Sequence, residues 1–254
     1  MDKVIEHIKS ATGVGMTTAD AIEPVGRVMT GSRALDEATG GGWPSGRICE
    51  IYGPESAGKT TLALHAVAET QKVGGVAAII DADHTFDPRY AEALGVDLSR
   101  LLVSMPDSCE SACDTVLALA TSEVNVIIVD SLAALTLQNE LETRMQDRYY
   151  CSRPVFFSKF FRRLATVSRA TVLFINQLRQ REGVTFGSPE KTTGGHALRY
   201  YASIRLDLRR ISGTKDKQGL AVSSRVRAKV AKSKVGMPFR QAEFDIYYGE
   251  GIRD

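Results

Sequence analysis

Apolar residues fall into short continuous runs through the first two-thirds of the chain and into alternation through the last third. The runs Ile48–Tyr52, Gly75–Asp81, Leu101–Ser104, Val124–Asp130 and Thr171–Gln177 are each the length of a strand. Between them lie helical signals: the segment from Lys59, the stretch Asp87–Gly95 with Pro88 at its start and a closing glycine, and Ser108–Thr121 with Ser108 or Asp107 as its cap. Apolar strands alternating with helices predict a parallel sheet covered on both faces. Ser203–Ile211, Ser223–Val230 and Gln241–Tyr248 instead alternate with period two and are joined by polar turns such as GTKDKQG. They predict antiparallel strands that extend the sheet. The expected fold class is therefore α/β: a mostly parallel central sheet flanked by helices, with an antiparallel C-terminal extension.

Upstream, residues 2–10 predict a short helix edged by Val4, Ile5 and Ile8, and 11–31 an extended arm. Gly31–Gly46 reads as a short helix and a turn. Residues 1–30 are expected to be an oligomerisation element and 31–254 the core. Phe156, Phe157, Phe160, Phe161 and Leu164 form a stripe at helical spacing, which fits a core better than a base-stacking surface.

Composition changes little: 254 residues, 43% hydrophobic and 24% charged, suit one sizeable core. No apolar run approaches the ~18 residues of a membrane span, and MDKVIEHIKSATG lacks a signal-peptide core. A cytoplasmic protein without membrane contact is expected. Cys49, Cys109, Cys113 and Cys151 have no accompanying His pair, so free thiols are expected rather than zinc or disulfides. Charge changes the picture more. Arg144 to Arg240 holds 22 Lys/Arg against 5 Asp/Glu, leaving 10 against 25 elsewhere. A segment near +17 beside a remainder near −15 fits a polyanion-binding face, or oppositely charged surfaces meeting in an oligomer.

The chemistry concentrates at strand ends. Gly53-Pro-Glu-Ser-Ala-Gly58-Lys59-Thr60 is a G-x-x-x-x-G-K-[ST] loop between a strand and a helix. Its backbone N–H groups and the helix N-terminus behind them suit phosphate oxygens, Lys59 can reach the outer phosphates, and Thr60 can ligate Mg²⁺. Asp130, ending a buried strand, is the expected second Mg²⁺ group. Asp81 and Asp83 end the neighbouring strand on one side, so that either can orient an attacking water. Residues 178–195 are long, Gly-containing and cationic, as a loop following a nucleic-acid backbone would be. Gln177 stands between the nucleotide and that loop.

These residues resemble the core of bacterial RecA recombinases from about Thr30 to Gly251. The likeness is carried by GPESAGKTTL (53–62), DADHTFDPRYAEALGVD (81–97), VIIVDSLAAL (126–135), FINQLR (174–179), FGSPEKTTGGHALRYYASIRLDLRR (186–210) and KVAKSKVGMPFRQAEFDIYYGEGI (229–252). The resemblance implies an ATPase that assembles head-to-tail into a helical filament on single- and double-stranded DNA, with ATP and Mg²⁺ between subunits. By position, Gly53, Glu55, Ser56, Ala57, Gly58, Lys59, Thr60 and Thr61 would hold phosphates, Thr60 and Asp130 the Mg²⁺, and Asp87 and Tyr90 the adenine. Gln177 would sense the γ-phosphate, and Lys232 and Lys234 would reach a neighbour's nucleotide. Segments 139–163 and 178–195 match two DNA-contacting loops, making Arg162, Arg163, Arg179, Arg181, Lys191, Thr193, Gly194 and Gly195 the DNA candidates. Tyr200 stands where the family couples interface to nucleotide. The implied role is homologous pairing and strand exchange in recombinational repair and the SOS response to DNA damage, in the cytoplasm at the nucleoid.

The sequence also departs from the family. Asp83 stands where the family has a catalytic Glu, which retracts the carboxylate by ~1.5 Å and predicts normal ATP binding with slowed hydrolysis. The first DNA loop, TRMQDRYYCSRPVFFSKFFRRL, carries Pro154 and four Phe in place of a Gly/Ala/Met-rich segment, and His196 replaces a usual Asn. The N-terminal arm is abbreviated, and the resemblance stops before the family's C-terminal domain. An alternative is a paralogue that binds ATP and DNA, hydrolyses weakly and acts as a structural or regulatory filament component. A hexameric helicase is a third reading, which the 186–210 run argues against.

Overall fold

A computed structural model of the chain describes residues 1–143, 153–180, 190–193 and 195–253. Helix α1 (Asp2–Thr12) buries none of its side chains and stops at Gly13, in the left-handed conformation. It covers the expected 2–10 helix and two residues more. The expected extended arm is interrupted by a single 3-10 turn (Ala19–Ala21); after it, β1 (Arg27–Val28) pairs antiparallel with β2 (Trp43–Pro44) across α2 (Arg33–Thr39), whose cap Ser32 accepts from the Leu35 N–H.

The alternation expected from the apolar runs follows: β3 (Ile48–Gly53), α3 (Lys59–Lys72), β4 (Ala77–Asp81), α4 (Pro88–Ala93), β5 (Leu101–Ser104), α5 (Cys109–Ala120) and β6 (Val126–Asp130). Asp87 caps α4, and of the two caps open for α5 it is Ser108 that accepts from the Ser111 N–H. Helices α6 (Gln138–Glu142) and α7 (Arg153–Val167) lead to β7 (Thr171–Gln180). This strand runs three residues past its apolar run, because Leu178, Arg179 and Gln180 pair with β8 (Glu190–Thr192) in a hairpin. After α8 (Ala197–Tyr201) come β9 (Ile204–Lys215), β10 (Ala221–Ser233), β11 (Gln241–Tyr247) and β12 (Gly251–Arg253).

One sheet gathers these strands in the order β12-β11-β10-β9-β3-β7-β6-β4-β5, with β8 attached to β7. From β5 to β9 all neighbours are parallel; from β9 to β12 all are antiparallel. The strand before the phosphate loop, β3, thus lies inside the sheet between β7 and β9. Alternate residues feed two cores: Ile79, Ile128, Leu173 and Ile175 pack under α3, while Ile80, Ile127, Val172 and Phe174 pack under α5 and α7. Period-two strands buried on both faces leave few polar positions, which is why their sequences are nearly continuous apolar runs.

The phenylalanine stripe lies in the second core. Phe157, Phe160, Phe161 and Leu164 are buried, and Phe161 meets Phe174 of β7 edge-on with ring centroids 5.1 Å apart. Among the described residues Cys49, Cys109 and Cys113 are buried free thiols, and no helix is long and apolar enough to cross a membrane. Cys151 lies outside them.

Candidate nucleotide and nucleic-acid site

Parallel strands end together, so β3, β4, β6 and β7 bring their C-terminal residues to one edge, where ligands of such sheets bind. The loop from Gly53 to Gly58 turns tightly there. A Cβ on Gly53 would stand 2.2 Å from the Leu208 carbonyl oxygen, and Gly58 has φ 85° directly before the 14-residue helix α3. Lys59 is buried and folds over the loop: Nζ donates to the carbonyls of Gly53 (3.3 Å) and Pro54 (2.6 Å). Burial lowers its proton affinity against the opposing pull of Asp130 and Glu55. Thr60 Oγ1 donates to Asp130 Oδ2 at 2.7 Å, which joins the two expected metal groups. Burial pushes the Asp130 carboxyl up; the Thr60 hydrogen bond opposes this, while the nearby Asp83 and Asp81 charges add to it.

A carboxylate and a hydroxyl in contact beside a phosphate loop fit Mg²⁺, which keeps several waters and takes few protein oxygens. Among the described residues no cluster of three acidic, His or Cys groups offers a denser metal cage. A cleft of about 280 Å³ runs from Ser56–Thr61 past Tyr90 to Val226, Ile246 and Tyr248. A second, bounded by Thr60, Phe86, Asp87, Tyr90 and Asp130, adjoins it. Tyr90 links the walls, its hydroxyl 2.7 Å from Thr61 Oγ1. Asp87 accepts from the Arg89 N–H as the α4 cap.

The two carboxylates after β4 part company. Asp81 is 2% exposed, and its oxygens accept the Thr85 and Phe86 N–H groups at 3.2 and 2.9 Å. It fixes the turn. Asp83 is half-buried and faces Asp130, which leaves Asp83 as the water-orienting candidate.

Gln177 is the register partner of Gly53, and its strand continues into the β7–β8 hairpin, where Arg179 pairs with Lys191. Thr193 and Gly195 follow, the latter within about 3.6 Å of Pro154 if given a Cβ. Arg181 and Gly194, with all of the loop between the hairpin strands (181–189), lie outside the described residues. Arg162 and Arg163 are not brought to this group. They are exposed on α7, nine and ten residues or roughly 14 Å along the helix from Arg153. Arg163 instead faces Glu110 and Asp114 of α5 across a groove.

Lys232 and Lys234 do not reach the phosphate loop of their own chain. Lys232 is level with Arg205 and hence with Glu50, three residues or roughly 10 Å back along β3 from Gly53. Its Nζ donates to the carbonyls of Arg199 (2.7 Å) and Tyr200 (2.9 Å), and that of Lys234 to Tyr201 (3.5 Å), at the end of α8. Burial, then Lys234 and two arginines, bring the Lys232 amine down to about 8. Tyr200 is 69% exposed beside them.

One buried group is organised around a residue outside every motif of the sequence, Glu50. Glu50, Arg205 and Asn176 lie together behind Tyr52, with the Arg205 guanidinium 4.6 Å over the Tyr52 ring. A glutamate inside the apolar run ICEIYG is the signal that could have found it, since such a residue needs a partner when buried.

The chain matches the family model described as the RecA N-terminal domain over residues 1–253. It is 50% identical to Protein RecA of Bartonella bacilliformis over 261 residues, spanning 99% of this chain and 75% of that one. Against Protein RecA of Synechocystis sp. the identity is 51% over 263 residues, with 99% and 73% covered. Against Protein RecA of Chlorobaculum parvum it is 51% over 261 residues, with 99% and 75% covered.

Proposed function

The chain belongs to the RecA family, and on that premise we propose that it is a DNA-dependent ATPase that forms filaments on single-stranded DNA and pairs it with duplex DNA in recombinational repair. The observation that carries this reading is the register of Gly53 with Gln177. The strand neighbouring the phosphate loop runs directly into the hairpin with Arg179 and Lys191, so nucleotide and DNA are read by one strand.

In this mechanism the loop N–H groups and Lys59 hold the ATP phosphates, with Lys59 moving from the Gly53 and Pro54 carbonyls to the phosphate oxygens. Asp87 and Tyr90 border the adenine. Mg²⁺, when bound by Thr60 and Asp130, supplies charge neutralisation on the phosphates. Asp83 orients the water and Gln177 senses the γ-phosphate. Lys232 and Lys234 act on the nucleotide of an adjacent protomer, a role supported by their distance from their own loop. Cations supplied in trans stabilise the transferring phosphoryl group only after assembly. Arg179, Lys191, Thr193 and Gly195, with Arg181 and Gly194, follow the DNA backbone; Arg162 and Arg163 widen the basic surface. Residues 1–30 serve as the oligomerisation element of a core spanning 31–254, a role supported by α1, which buries no residue, and by exposed Val4, Val14, Met16 and Ile22. The protein acts in the cytoplasm, at the nucleoid.

Electron microscopy with single-stranded DNA and a slowly hydrolysed ATP analogue tests the proposal. Helical filaments are expected; closed rings, or no assembly, would overturn it.

A further inference from the structure

Glu50 is fully buried in β3, on the sheet face beneath α7 and α8. Its carboxylate meets Nε of Arg205, its register neighbour on β9, and accepts a hydrogen bond from Asn176 Nδ2 at 3.0 Å. Asn176 is fully buried as well, and its amide is used on both sides. Nδ2 also donates to the Thr193 carbonyl at 3.0 Å, and Oδ1 accepts the Gln177 N–H at 3.0 Å. One side chain thus holds the residue beside the phosphate loop and the far end of the 178–195 loop.

The carboxylate of Glu50 explains why this amide keeps its orientation. A flipped amide would put Oδ1 against the carboxylate and remove the donor from Thr193, leaving two buried acceptors unpaired. Arg205 in turn fixes the carboxylate. A side chain able to donate as well as accept at position 50, such as an amide, would tolerate either orientation, so the acceptor-only carboxylate sets a direction that packing alone would not.

We infer that Asn176, oriented by Glu50, is the positioning residue that ties the Thr193 end of the DNA loop to Gln177, so that loop position and nucleotide state change together. This rests on the proposed DNA-dependent ATPase and adds to it the residues through which the two sites communicate. Displacing Gln177 pulls on Oδ1, and the same rigid amide carries the displacement to the Thr193 carbonyl. Displacing the loop acts in reverse.

The test uses Asn176→Asp, Glu50→Gln and the double variant. Asn176→Asp sets two carboxylates face to face and removes the two amide donors. The double variant restores a carboxylate–amide pair with its direction reversed, so the packing is satisfied again but Thr193 still lacks its donor. DNA stimulation of ATP turnover is expected to fall about tenfold in Asn176→Asp, the scale of one lost buried hydrogen bond, while KM for ATP without DNA stays within about threefold. The double variant should regain melting temperature without regaining stimulation. If stability and stimulation return together, the role is structural only and the inference fails. Amide hydrogen exchange decides the anchor independently of catalysis. In the single and double variants that carry Asn176→Asp, the 190–199 segment should exchange about tenfold faster, with Ile48–Gly53 still protected in the double variant. Unchanged exchange at 190–199 overturns the inference. An unmodified chain whose turnover ignores DNA overturns the ATPase reading instead, and the exchange result still stands.

Discussion

Replacing Asp83 with glutamate should speed this protein up. Asp83 stands in the turn after β4, with its backbone N–H 3.4 Å from the Asp130 carbonyl oxygen. The turn is pinned by the two hydrogen bonds to Asp81 and by His84 at φ 54°, so the backbone cannot slide to offset a longer side chain. Glutamate would advance the carboxylate by the ~1.5 Å of one carbon–carbon bond. Misplacement of a catalytic group by ~1 Å costs ~10²-fold, or about 2.7 kcal/mol of barrier. Asp83→Glu is therefore expected to raise DNA-stimulated turnover by ten- to a hundredfold, as an order of magnitude. ATP affinity should not change, because in the proposed mechanism Lys59, Thr60 and the loop N–H groups, not Asp83, hold the phosphates. Steady-state hydrolysis at saturating single-stranded DNA measures the first quantity, and titration with a fluorescent ATP analogue the second. An unchanged or lower turnover in Asp83→Glu would refute the argument.

Four further outcomes follow from the geometry. Phe161→Ala should lower the unfolding free energy by about 3–5 kcal/mol in urea, because the ring is fully buried against Phe157 and Phe174; a loss under about 1 kcal/mol would remove the ring from the core. Gly53→Ala forces a Cβ to 2.2 Å from the Leu208 carbonyl, so about 1–3 kcal/mol of stability and most ATP binding should be lost, by thermal melting and nucleotide titration. Burial first, then the Asp83 and Asp81 charges, raise the Asp130 pKa above that of an ordinary aspartate, so protons compete with Mg²⁺ for this carboxylate more strongly than for an exposed one. Mg²⁺-dependent ATP affinity should then fall on acidification, with proton release visible by calorimetry in buffers of different ionisation enthalpy. The Lys232 amine is lowered to about 8 from 10.5, so the folded chain binds fewer protons than the unfolded chain between those values. Its contribution to stability should rise with pH across that window, and Lys232→Met should flatten that part of the pH profile.

The parallel half of the sheet was legible because strands such as Val126–Asp130, buried on both faces, admit almost nothing polar. The antiparallel half was legible through alternation in Gln241–Tyr247, one face of which meets the core. The β7–β8 hairpin was hidden, since Arg179, Gln180, Glu190 and Lys191 carry no apolar period while their pairing is satisfied by backbone alone. Helix α8 was hidden by its length of five residues. At the site, the phosphate loop was plain from local spacing. Spacing alone left Asp81 and Asp83 equivalent and only the resemblance singled out Asp83, because the turn-fixing bonds of Asp81 depend on which N–H groups the following turn presents. Nor was the Glu50–Arg205 pair, whose partners stand 155 residues apart and meet only through sheet order.

ATP turnover against single-stranded DNA over a series of salt concentrations tests the central claim most directly. The expected result is turnover that depends on DNA, with an apparent DNA affinity that falls linearly on logarithmic axes as salt rises, because Lys and Arg contacts release counterions from phosphates. Turnover that is equal with and without DNA, or a DNA affinity indifferent to salt, would contradict the account.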